Sequence, residues 1–163
     1  MQPTTTRPPA VTRAGSATIP TTRGTLSTMP VEQLPVGQPG CSPASPLAGW
    51  KGGDQPETRG TALHGAELFG LVMPEQGLPL RVDEQIKIVW RMTGRGPLVA
   101  SATSPSGVPT PLTFGPEEHG GSNYLRSGQE WGTGYLFPEP GCWHLHFARD
   151  DTQGDVWFEI RRS

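Results

Sequence analysis

Apolar and polar positions alternate with a two-residue period in several stretches of the chain, and no segment keeps a 3.6-residue period over three turns. In EQIKIVWRM (Glu84–Met92), Ile86, Ile88, Trp90 and Met92 fall on one side and Lys87 and Arg91 on the other, the pattern of a half-buried strand. In CWHLHFARD, Trp143, Leu145 and Phe147 share a face whose bulk marks it as core. Cys142, His144, His146 and Ala148 then share the opposite face. GDVWFEIRR sets Val156, Phe158 and Ile160 against Trp157, Glu159 and Arg161, and forms a hairpin with the preceding strand around DTQG. AELFGLVM (Ala66–Met73) is an apolar run of strand length punctuated by Gly and Pro. PLVASATSPSG reads as a strand and a turn at Pro105–Gly107, and TPLTF as a short strand before the loop GPEEHGGSN. EWGTGYLFP (Glu130–Pro138) is a strand in which Gly132 and Gly134 suggest a bulge or close packing. About seven short strands joined by Gly/Pro turns predict an all-β fold, an antiparallel Greek-key β-sandwich of immunoglobulin-like type.

Composition changes the picture at the N-terminal end. Residues 1–46 hold nine prolines and nine threonines and no Phe, Trp or Tyr. Such a stretch buries too little apolar surface to offset the entropy of ordering, so it is expected to be a disordered Thr/Pro-rich tail or stalk. Residues 47–163 are expected to form the sandwich. The net charge of −2 supplies no basic field for nucleic acid. No run of 18 apolar residues is present, and the N-terminus lacks the apolar core of a signal peptide, so any membrane tether is expected in a segment outside this chain.

The candidate chemistry is sparse. His144 and His146 at i and i+2 on one strand face stand about 7 Å apart at Cβ, a spacing that chelates a metal ion. His119 is the candidate third ligand. Two bare strand histidines are the plainer reading, and no cofactor is expected. Glu117, Glu118 and His119 lie together in PEEHGG, an acid/base or oxygen-ligand cluster if the protein is a hydrolase, and otherwise a solvated loop. Asp150, Asp151 and Asp155 flank the hairpin turn, where aspartates usually cap their own backbone. No nucleophile elbow, P-loop, dinucleotide fingerprint or HExxH motif is present. Trp131, Trp143 and Trp157 are candidates for stacking on a sugar. Trp143 belongs to the core by alternation. Trp157 points outward with Glu159 and Arg161 and marks a possible binding surface, unless the N-terminal segment covers it.

FPEPGCWHLH resembles the PGxWxxHCH segment of multicopper oxidases and the PGxYxFxC segment of cupredoxins, Greek-key sandwiches that bind copper. Here the cysteine precedes the histidines, and FARDDTQGDV offers no soft ligand after them. A second resemblance spans most of residues 62–162, through LHGAELFGLVMP, IKIVWRMTGRGPLVASA, EWGTGYLFPEPGCWHLHFARDD and GDVWFEIRR. These segments are similar to a group of uncharacterised bacterial secreted or lipoprotein-type β-sandwich proteins with an FPxxGCW element. That resemblance implies a sandwich and an extracytoplasmic setting, and no catalytic residue. In such proteins an early cysteine precedes the first strand, as Cys41 does. A Cys41–Cys142 bridge would pin the junction of tail and domain across the outer face. It would close a loop worth up to about 4–5 kcal/mol in the chain-entropy model, and it requires an oxidising compartment. Two free thiols, or a lipidated Cys41, are the alternatives. The expected function is a non-catalytic secreted or envelope-tethered interaction module for a protein, peptide or glycan. The alternatives are a copper- or zinc-binding sandwich domain and, third, a hydrolase.

Overall fold

The computed structural model describes residues 29–163. The expected tail over residues 1–28 lies outside the described residues. Eleven strands follow two single 3-10 turns at Val31–Gln33 and Pro39–Cys41. The strands are β1 (Leu47–Gly49), β2 (Pro56–Arg59), β3 (Thr61–Ala62), β4 (Leu68–Pro74), β5 (Gln85–Met92) and β6 (Val99–Thr103). They continue as β7 (Pro109–Thr110), β8 (Phe114–His119), β9 (Gln129–Leu136), β10 (Gly141–Arg149) and β11 (Thr152–Ile160). One sheet runs β1-β2-β4-β5-β9-β8 and the other β3-β11-β10-β6-β7, and the strand pairs within both are antiparallel. The chain changes sheet between β2 and β3, β3 and β4, β5 and β6, β7 and β8, and β9 and β10. The all-β sandwich expected from the alternation is present, with more and shorter strands than the pattern resolved.

The core is the apolar face of each alternating strand. Ile86, Ile88, Trp90 and Met92 of β5 meet Trp143, Leu145 and Phe147 of β10 and Val156, Phe158 and Ile160 of β11, all buried. Trp131 and Tyr135 of β9 belong to the same core, which removes Trp131 as a sugar-stacking candidate. The Trp90 indole lies over Gly70, where a Cβ would come within 2.4 Å of the ring. Its Nε1–H donates to Thr133 Oγ1 at 2.8 Å, so the buried donor is satisfied. Gly134 yields space in the same way, to the Phe114 ring, and the β8–β9 register shifts between Phe114 and Glu117. Of the two readings of that glycine-rich strand, close packing holds for Gly134, while the extra residue of the irregularity lies on the facing strand β8.

Two expectations are corrected. GPEEHGGSN is not one loop: Phe114–His119 is the edge strand β8, in which charged side chains stand exposed as edges require. The part of the expected tail from 30 to 46 is packed on the domain, with Val31 and Leu34 buried against Phe69, Leu71 and Val89 of the six-stranded sheet. Two well-placed aliphatic residues and a covalent tie hold a segment whose average composition is poor in apolar surface.

Candidate functional site

The hairpin β10–β11 gathers a cluster of potential metal-ligating side chains among the described residues. Its loop is Asp150–Asp151 rather than DTQG, so Arg149 pairs with Thr152 and His146 falls opposite Asp155. His144 Nε2 lies 2.7 Å and His146 Nδ1 2.8 Å from the same oxygen, Asp155 Oδ1. The three donor atoms fall within 4.8 Å of one another. A carboxylate only accepts, so in each of these hydrogen bonds the facing ring nitrogen is the donor. The side chains are 38%, 37% and 27% exposed, open to solvent yet backed by the sheet.

Neighbouring groups hold this cluster in place. The His144 ring stacks on Trp157, with centroids 5.0 Å apart and planes 8° from parallel. The Asp155 amide donates to Thr61 Oγ1 at 3.1 Å, and Thr61 of β3 is its cross-strand partner. On the other side β6 places Ser101 opposite His146 and Thr103 opposite His144. The face therefore presents His144, His146, Asp155, Ser101 and Thr103, with exposed Val99 at its margin.

One end of this face is closed. Cys41 and Cys142 form a disulfide with Cα atoms 5.4 Å apart. Beside it the Ser45 amide donates to the Trp157 carbonyl at 2.7 Å, and the Trp157 amide donates back to Ser45 Oγ at 3.0 Å. Trp157 points outward as expected, but the Ser45 segment and His144 cover it to 9% exposure, so it is not an open stacking platform. Glu159 and Arg161 remain exposed and pair with each other at 3.1 Å. A disulfide of this kind persists where the surroundings are oxidising.

His119 does not join the other two histidines. It lies on β8 in the opposite sheet, with Nδ1 2.6 Å from Glu130 Oε1. Glu130 itself is buried on the outer side of β9, with Arg91 Nη2 2.8 Å and Ser122 Oγ 2.5 Å from its Oε2. Glu117 and Glu118 project from β8 without converging on it: Glu118 Oε1 accepts from Gln129 Nε2 at 3.1 Å. The expected acidic/His loop is thus an edge strand with one histidine next to a buried structural carboxylate.

Sequence reading missed a second buried carboxylate. Glu57 accepts from the Tyr124 hydroxyl at 2.8 Å and from Arg126 Nε at 2.5 Å and Nη2 at 2.6 Å, and Arg126 also contacts Glu32 of the packed N-terminal segment. Burial, reinforced by the Glu57 charge, drives the Tyr124 hydroxyl far above its ordinary range. Hydrogen bonding to Glu57 raises the Arg126 guanidinium in turn. Two neighbouring clefts of 310 and 230 Å³ share Glu32, Leu125 and Arg126. Their shared wall is the ion pair that fastens residues 30–34 to the sheet. Arg149, at the inner end of β10, was also unforeseen. It donates to the Met92 carbonyl at 2.8 Å and the Gly96 carbonyl at 2.6 Å, and lies 4.6 Å over the Trp131 ring.

Comparison with protein-family models, curated proteins and solved structures finds no match to this chain. Among the described residues no helix is long and apolar enough to cross a membrane.

Proposed function

We propose that the chain is a non-catalytic interaction domain, secreted or tethered in a cell envelope, whose binding face is the outer face of the five-stranded sheet. The observation that carries this reading is the contrast in cover. Residues 30–34 and the Tyr124 segment roof the other sheet, whereas the middle of this face keeps His144, His146 and Asp155 partly open on two rigid strands. Sites built on paired strands hold their geometry better than sites on loops. The Cys41–Cys142 bridge supports the extracytoplasmic setting, because such bonds are rare in reducing cytosol. Val99, 62% exposed at the margin, adds an apolar contact for a protein or peptide partner.

A photo-crosslinking residue at Val99 in the native cell tests this. A defined adduct from that position, absent when the probe replaces exposed Lys87 on the other sheet, is the expected result. No adduct at Val99, or the same adduct from both sites, contradicts the reading.

A further inference from the structure

We infer that His144, His146 and Asp155 form a binding site for one divalent metal ion of borderline character, Zn²⁺ or Cu²⁺. The inference rests on the same open face as the proposed binding role, but its test needs no partner, so either can fail alone.

Three features carry it. First, both imidazoles converge on one carboxylate oxygen rather than each finding its own acceptor, at 2.7 and 2.8 Å. Two imidazoles and one carboxylate on one side leave the remaining positions of an ion open to water or a partner's side chain. Second, each ligand stands at a position paired on both sides, His144 and His146 between β6 and β11 and Asp155 between β10 and β3. His144 is held by the Trp157 ring and Asp155 by Thr61, the kind of supporting contact that fixes ligand orientation. Third, the donor set selects the ion. Imidazole suits zinc and copper(II), and the nearby sulfur of Cys142 is occupied in the disulfide, so no thiolate biases the site toward copper(I). Binding needs a simple proton rearrangement. The ion takes the lone pairs of His144 Nε2 and His146 Nδ1, the ring protons move to His144 Nδ1 and His146 Nε2, and any second proton on a ring leaves to solvent.

The test is calorimetric titration of Zn²⁺ into tag-free, chelator-stripped protein. The expected result is one ion per chain. Affinity should fall by about tenfold or more in each of His144→Ala, His146→Ala and Asp155→Asn, since loss of an orienting partner alone costs about that much. His119→Ala should leave it unchanged. Asp155→Asn keeps a hydrogen-bond acceptor in place, and circular dichroism verifies its fold, so a loss there is a loss of the ligand rather than of the strand. Absence of heat at any Zn²⁺ concentration up to the millimolar range overturns the inference. So does binding of equal strength in the parent and the His144→Ala/His146→Ala double variant.

Discussion

The two outer faces of the sandwich are held by different means. The six-stranded face carries a second, smaller core in which Phe69, Leu71 and Val89 are roofed by Val31, Leu34 and Tyr124. Polar groups caught beneath that roof are bound on the spot, Glu57 by Tyr124 and Arg126, and Glu130 by Arg91 and Ser122. A buried charge left without such partners is costly, so this face is committed to structure. The five-stranded face is fastened at one end by a covalent bond and the paired Ser45–Trp157 hydrogen bonds. It needs no roof over its middle, and its polar row stays accessible. Cover by apolar burial consumes a surface, whereas a covalent tie at the margin leaves one free.

The widest contrast lies within a single strand. Trp143 is fully buried, so Trp143→Ala should cost about 3–5 kcal/mol in urea denaturation. His144→Ala and His146→Ala, in chelator-containing buffer, should each change stability by under about 1 kcal/mol. Comparable losses at all three positions would make the open face structural too. Next in size is the tie. Changing both Cys41 and Cys142 to Ser should destabilise by about 2–4 kcal/mol, and hydrogen exchange should quicken at the Trp157 amide, which Ser45 Oγ binds, before it does in β4 and β5. On the roofed face, Glu57→Gln weakens charge-assisted hydrogen bonds from Tyr124 and Arg126 and should cost about 1.5–3 kcal/mol, with no effect on Zn²⁺ binding.

The smallest effect is one that acid removes. The Asp151 carboxylate accepts from the Arg95 amide and guanidinium, which hold it below its usual range. A depressed folded-state pKa gives stability that is complete above the ordinary aspartate range and disappears as the pH falls through the folded value. Asp151→Asn should therefore lower stability slightly at neutral pH, by an amount that vanishes as the pH falls through the folded value and that solvent at this exposed turn keeps small.

Much of the sandwich was legible because burial on one side enforces alternation. Trp143, Leu145, Phe147, Val156, Phe158 and Ile160 all lie where their two-residue period put them. The edge strand β8 was not legible, since its glutamates and glycine are what an exposed edge tolerates and also what a loop contains. The third member of the histidine cluster was hidden by the turn. A four-residue loop DTQG would have set Glu159 opposite His146, while the two-residue loop sets Asp155 there. A shift of that kind changes every cross-strand neighbour, and the local sequence carries few cues to loop length. The cover over Trp157 comes from Ser45, 112 residues earlier, and no periodicity records a contact at that separation.

The central claim is that the open face of β10 and β11 is a site rather than a surface. Its most direct measurement is a long-range proton–nitrogen NMR spectrum of the four histidine rings with and without one equivalent of Zn²⁺. The account predicts that His144 and His146 move together, with the nitrogen facing Asp155 losing its proton in each, while His64 and His119 keep their positions. Rings that all shift alike, or none that shift at all, would contradict it.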